Sequence, residues 1–168
     1  TFDTDNYAVD IYGFNFNSAS YPRYMYFRNS TITIQNTALN FDNANLLTLD
    51  AGTSTINHTF SGSNSFWSNP TYPIALYNLN FTSLVPNRWF SGGNWVFNNI
   101  TFPANSSGNN QNVFFGGNFK VNGAFTISAP STPGYRYNLK STTNTLDFAG
   151  TQRTLTINSL SAPDTNFQ

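Results

Sequence analysis

One unit of this sequence is written twice, and it limits the possible folds more than any other feature. The segment Phe90–Asn99 begins Phe-x-Gly-Gly-Asn followed by an aromatic residue, and Phe114–Gly123 repeats this pattern 24 residues later. Weaker copies begin at Phe60 and Phe148. Repeats of about 20–50 residues are typical of solenoids, in which each unit buries its apolar face only against its neighbours. We therefore expect a stack of similar units.

The two strongest copies each lead into a short alternating apolar run. These runs are Ile100–Phe102 and Phe125–Ile127, and similar runs of β-branched and aromatic residues alternate with Asn, Thr and Ser along most of the chain. Such alternation predicts half-buried strands, whereas an apolar spacing typical of helices is not found. The pattern predicts an all-β fold, a right-handed parallel β-helix or irregular β-solenoid. The alternative is a β-sandwich or jelly roll, for which repeats this long are not expected.

The length favours a single domain. The chain has 168 residues, enough for one core. We expect one all-β domain over residues 1–168, with 1–45 as a divergent N-terminal cap or first coil, 46–162 as degenerate repeats and 163–168 as a tail. The first residue is Thr rather than Met, which indicates a processed product or a fragment.

The charge balance argues against two classes of partner. Seven basic and seven acidic side chains give no net charge, so the basic surface that nucleic-acid binding requires is missing. No apolar run reaches the ~18 residues that a membrane-spanning helix needs. The chain also lacks cysteine, which excludes disulfides and thiol chemistry. We expect neither a nucleic-acid partner nor a membrane span.

A family resemblance rests on the repeated units themselves. Phe90–Asn99 and Phe114–Gly123, together with Leu46–Ile56 and Phe125–Pro130, resemble the Asn-, Gly-, Ser- and Thr-rich coils of right-handed β-solenoid surface proteins. These include bacterial secreted adhesins and phage tail-fibre or spike proteins, and the resemblance covers about residues 46–162. It implies adhesion or structural projection in an extracellular, cell-surface or virion-surface setting.

Three residues are candidates for binding a glycan. Flat aromatic rings suit the faces of sugars, and an amphipathic ring suits a solvent-exposed edge. Trp89 and the adjacent Arg88 precede the repeat at Phe90, where a corner would expose them, and Trp67 is a further candidate. Trp95 occupies the position that Phe119 holds in the next repeat, so we expect it in the core.

Catalytic residues are not expected. His58 is the only histidine and lies in an apolar alternating run, which favours a packed side chain over a catalytic one. The alternative is a polysaccharide lyase or hydrolase, whose acids would include Asp42 and Asp50. We expect no cofactor and no metal, with a structural calcium ion as the alternative.

Modification and assembly complete the expectations. Five Asn-x-Ser/Thr sequons mark candidate glycosylation sites in a secreted protein, at Asn29, Asn57, Asn80, Asn99 and Asn105. The open ends of a solenoid favour self-association as a trimer or an end-to-end filament. The sequence therefore predicts a non-enzymatic structural or adhesive component, with a cell-surface glycan or receptor as partner. A filament subunit joined by strand exchange is an alternative.

Overall fold

The computed structural model describes most of the chain. The described residues are 1–16, 20–36, 38–41, 44–62, 64–68, 72–84, 87–92, 94–104, 111–115, 118–128, 137–141, 146–147, 154–157 and 165–167. In these ranges the regular structure is β-strand, apart from one 3-10 turn at Ala44–Leu46.

The strands form three sheets. Sheet A contains β1 (Phe2–Asp3), β4 (Arg23–Tyr26) and β7 (Leu47–Asp50). Sheet B contains β2 (Val9–Ile11), β5 (Thr31–Ile34), β8 (Thr55–His58), β10 (Ile74–Phe81), β12 (Asn94–Phe102), β14 (Asn118–Val121), β15 (Ala124–Ile127), β17 (Leu146–Asp147) and β18 (Thr154–Ile157). Sheet C contains β3 (Phe14–Asn15), β6 (Ala38–Phe41), β9 (Asn64–Ser68), β11 (Asn87–Gly92), β13 (Gln111–Phe115), β16 (Tyr137–Ser141) and β19 (Thr165–Phe167).

The chain is a parallel β-solenoid, as the sequence predicts. Each described strand pairs in parallel with the strand one coil away, and register partners lie between 21 residues apart, as for Asn78 and Asn99, and 30 residues apart, as for Ala124 and Thr154. A sandwich or jelly roll is built from antiparallel strands, so that alternative is wrong. The strands of residues 1–45 lie in the same three sheets as the later ones. The division of the chain into a cap, repeats and a tail stays a prediction.

The repeat unit aligns as predicted over its apolar runs. Ile100 pairs with Phe125 and Phe102 with Ile127, while Trp95 pairs with Phe119 and both are buried. The asparagine of the repeated pattern also joins successive coils, because Asn118 Nδ2 donates to Asn94 Oδ1 over 2.8 Å.

The phenylalanine that begins the repeat needs a correction by one residue. Phe90 pairs with Phe115, not with Phe114, and its partner in the preceding coil is Phe66, not Phe60. These three rings stack inside the solenoid, with centroids 4.9 Å apart for Phe66 and Phe90 and 5.8 Å for Phe90 and Phe115. The core is therefore an aromatic ladder that runs from coil to coil.

Asparagine ladders join the coils outside the core. Asn99 Nδ2 donates to Asn78 Oδ1 over 2.8 Å, and Asn80 Nδ2 donates to Asn57 Oδ1 over 3.3 Å. An amide side chain donates and accepts at once, so identical residues in successive coils can bond in series.

Gly52 forms a corner that no other residue fits. Its φ is +52°, and a Cβ atom at this position would lie 2.1 Å from the backbone oxygen of Arg28. We expect Gly52→Ala to lower the free energy of unfolding by at least about 1–2 kcal/mol, the cost of a left-handed non-glycine residue. Urea unfolding followed by circular dichroism measures the change. Gly62→Ala is the control, since its Cβ would meet only the movable ring of Phe60; equal losses in the two variants would contradict the prediction.

Candidate functional site

An aromatic pair lies on the outer face of sheet C. Along β11 and β13 the buried residues alternate with outward-facing ones, and Trp89 and Phe114 occupy register-matched outward positions. Their ring centroids lie 3.8 Å apart with an angle of 6° between the planes. Trp89 keeps 41 % of its surface exposed, so the pair offers a flat apolar surface to solvent.

Amide groups lie beside this aromatic pair. Asn87 and Asn112 are also register partners on the outer face, two residues before Trp89 and Phe114. Asn112 Nδ2 donates to Asn87 Oδ1 over 3.0 Å. We call the four residues Trp89, Phe114, Asn87 and Asn112 the aromatic–amide patch. It combines a stacking surface with hydrogen-bonding groups, the combination that ligand sites commonly use for orientation.

The strands on either side change the chemistry of this row. The register partner of Trp89 in β9 is Ser65, and the partner of Phe114 in β16 is Lys140. The row that crosses sheet C at this level thus reads Ser, Trp, Phe, Lys from one coil to the next. The aromatic pair is local to β11 and β13 within the described strands.

Arg88 does not belong to this surface, which corrects the prediction from the sequence. The side chain is 1 % exposed and points into the solenoid. Its guanidinium carbon lies 3.8 Å from the centroid of the Phe81 ring, and Nη2 donates to the carbonyl oxygen of Ser83. Stacking on an aromatic face and bonding to a backbone carbonyl offset part of the cost of burying the charge.

Trp67 and Phe114 differ from the prediction in other ways. Trp67 lies in β9 with Ser91 as its register partner in β11, and its side chain lies outside the described part of the structure. Phe114 was not among the predicted site residues. Two adjacent phenylalanines in a strand cannot both face the core, and this alternation is the signal that identifies one of them as exposed.

His58 is enclosed by aromatic rings. The imidazole is fully buried, 5.1 Å from the Phe66 ring and 5.7 Å from the Phe81 ring between centroids. Burial lowers the pKa of His58 to about 4, the charge of Arg88 acts in the same direction, and the backbone of Asn36 opposes the shift. The side chain is therefore neutral at pH 7. It has no access to a substrate in solution.

The acidic side chains that the structure describes serve local structure. Asp3 forms a bidentate ion pair with Arg28, at 3.1 Å to Nε and 2.8 Å to Nη2, and this hydrogen bonding lowers the pKa of Asp3. Asp50 Oδ1 accepts from the backbone nitrogen of Gly52 over 2.9 Å. Asp42, the other predicted catalytic acid, lies outside the described residues. Within the described ranges, no three acidic, histidine or cysteine side chains cluster as metal ligands would.

The predicted glycosylation sites differ in how their amides are used. Asn29 is exposed, and its Oδ1 accepts from Thr53 Oγ1 over 3.0 Å. Asn57 accepts from Asn80, and the Nδ2 atoms of Asn80 and Asn99 donate along the ladders. Asn105 lies outside the described residues. Among the described sequons, Asn29 is thus the most accessible, and glycosylation stays a prediction.

The comparisons with known proteins add no family. Among the described segments there is no helix long and apolar enough to cross a membrane. No family model matches the sequence, and no curated protein or solved structure shows significant similarity to the chain. The argument for function therefore rests on the aromatic–amide patch and on the solenoid that carries it.

Proposed function

We propose that this chain is a non-enzymatic structural and adhesive component of an extracellular or virion-surface assembly, and that the aromatic–amide patch binds a glycan. The observation that carries the proposal is the exposed stack of Trp89 on Phe114, with its centroid distance of 3.8 Å. A solenoid built on core ladders is a stiff support for such a surface. The bacterial adhesins and phage tail fibres that the repeats resemble supply the setting.

The chemistry of the patch suits a sugar ring. The apolar face of a pyranose stacks on an indole in the way that other flat groups do. The neighbouring amides of Asn87 and Asn112, which are partly buried, offer donors and acceptors to hydroxyl groups at the edge of that ring. The patch contains no charged side chain, so we expect a neutral glycan. Self-association, as a trimer, an end-to-end filament or a strand-exchange filament, stays a prediction.

The test is glycan binding by Trp89→Ala. A labelled chain is applied to a printed array of neutral bacterial and mammalian glycans, and the strongest ligand is then titrated against each variant. We expect Trp89→Ala to weaken binding about tenfold, since aromatic stacking contributes up to about 1.5 kcal/mol. Phe114→Ala should weaken it in the same direction because the indole loses its support.

Tyr72→Ala is the matched control. Tyr72 is as exposed as Trp89, at 44 %, and lies outside the patch, so its removal should leave binding unchanged. Circular dichroism confirms that the variants keep the strand content of the wild type. A wild-type chain that retains no glycan, or equal losses in Trp89→Ala and Tyr72→Ala, would show that the patch is not a glycan site.

A further inference from the structure

Sheet A ends at β7, and an open split separates this strand from the next coil. Among the described strands, β7 pairs with β4 alone. The first half of β10, Ile74 to Leu76, pairs only with β12, whereas its second half pairs with β8. The split closes at one end, where Asn78 N donates to the carbonyl oxygen of Ser54 over 3.1 Å. Two strand edges therefore face each other across a wedge.

The hydrogen bonds show which backbone groups face the wedge. Asp50 O accepts from Phe27 N, so Asp50 is directed toward β4. Because neighbouring residues of a strand present their backbone groups to opposite sides, Leu49 is directed into the split. On the other side, Phe97 O accepts from Asn122 N, which directs Val96 toward β10. Val96 then bonds to the residues on either side of its register partner Ala75, and Ala75 is directed into the split.

A cleft of about 440 Å³ occupies this split. Its walls are largely apolar and include Leu49 and Ala51 on one side and Ala75, Tyr77 and Val96 on the other. A smaller cleft of about 200 Å³ extends it toward the open end, along Leu47 and Pro73. Pro73 has no N–H to donate, which is consistent with a sheet that is not joined at this point.

The charge at the closed end is acidic. Asp50 is the charged side chain among the residues that line the two clefts. Arg28 lies near it, but Asp3 pairs with this guanidinium and Asp5 also acts on it. Three carboxylates thus surround one arginine, which leaves an excess of negative charge.

We propose that this cleft binds an extended peptide segment of a partner protein by strand addition. The peptide would run parallel to β7, with small apolar side chains at alternate positions and a basic residue at its C-terminal end, near Asp50. A second polypeptide backbone is the group that supplies donors and acceptors with the spacing of both edges. Apolar walls then select the alternate side chains, as in other strand-addition sites.

Hydrogen exchange measured by NMR tests the free state of the cleft. In the free chain we expect the amides of Leu49 and Ala75 to exchange at least about tenfold faster than those of their neighbours Asp50 and Leu76, which bond within the sheets. Equal protection of all four amides would show that the two edges are already paired and would overturn the proposal.

The binding test uses a synthetic probe, the hexapeptide acetyl-TVTVTK-amide. At saturation it should slow exchange at Leu49 and Ala75 at least about tenfold, while Asp50 and Leu76 stay unchanged. The same peptide N-methylated at alternate residues keeps the side chains and loses the backbone donors, so it should not bind. Failure of the parent peptide to bind at millimolar concentration, or equal binding of the methylated one, would overturn the proposal.

Two variants place the probe on the chain. Ala75 is exposed, so Ala75→Arg fills the cleft, adds a positive charge beside the basic peptide and should abolish binding. Asn15→Arg adds the same side chain at an exposed position of β3, away from the cleft, and should leave binding unchanged. Should Ala75→Arg fail to fold, the methylated peptide still distinguishes strand addition from non-specific adhesion.

Discussion

Replacing Phe90 by alanine is expected to lower the free energy of unfolding by about 3–5 kcal/mol, the usual cost of removing a large buried ring. Phe90 is 1 % exposed and stacks between Phe66 and Phe115 in the aromatic ladder. It also makes edge contacts with Trp95 and Phe119, at centroid distances of 6.0 and 5.1 Å. The cavity left by its removal would therefore interrupt the core across three coils.

Urea unfolding followed by circular dichroism measures this loss. The control is Trp89→Ala, at the adjacent position of the same strand, where the side chain faces solvent and one stacking partner is lost. We expect that variant to lose no more than about 1.5 kcal/mol. A Phe90→Ala chain that unfolds within about 1 kcal/mol of the wild type would show that the ladder does not hold successive coils together.

The stacking of coils could be predicted from the sequence because it depends on local alternation. Ile100–Phe102 and Phe125–Ile127 predict paired strands, and they pair residue for residue. The strands of sheet C are harder to recognise, because β9, with the sequence NSFWS, places serines and an asparagine around its aromatic residues. Such strands carry little β-propensity of their own and depend on the coils above and below them.

The one-residue error at Phe114 has a similar cause. A pattern match aligns Phe90 with either of two adjacent phenylalanines, and the backbone register decides between them. A shift of one residue exchanges the two faces of a strand. The alignment with Phe115 therefore turns Phe114 outward and completes the pair with Trp89.

The candidate site could be predicted only in part. The position of Trp89 next to an inward-facing anchor indicates exposure, and Trp89 is exposed. The same reasoning fails for Arg88, whose guanidinium lies over a ring contributed by the preceding coil, Phe81. Contacts between coils depend on the length of each coil, and a single sequence does not specify those lengths. The split beside β7 is absent from the predictions for the same reason.

The other large effect that we expect is a loss of stability in mild acid, caused by His58. Its pKa is about 4 in the folded chain, against about 6.5 in the unfolded chain. The unfolded state therefore takes up the proton first, and stability falls as the pH drops below about 6.5. The two pKa values correspond to a loss of about 2 kcal/mol between pH 7 and pH 5 and of about 3 kcal/mol in full.

The comparison of urea midpoints at pH 7 and pH 5, for the wild type and His58→Leu, isolates this effect. His58 is the only histidine, and the pKa of Asp3 is lowered below its ordinary value, so that carboxylate begins to lose its ion pair only at a lower pH. Leucine fills the space among Phe66 and Phe81 without a titrating group, so the variant should lose less than about 0.5 kcal/mol over the same interval. A wild type as stable at pH 5 as at pH 7 would mean that the imidazole takes up its proton inside the folded solenoid. The aromatic enclosure would then have to open without unfolding the chain, and the core ladder would be looser than its stacking distances indicate.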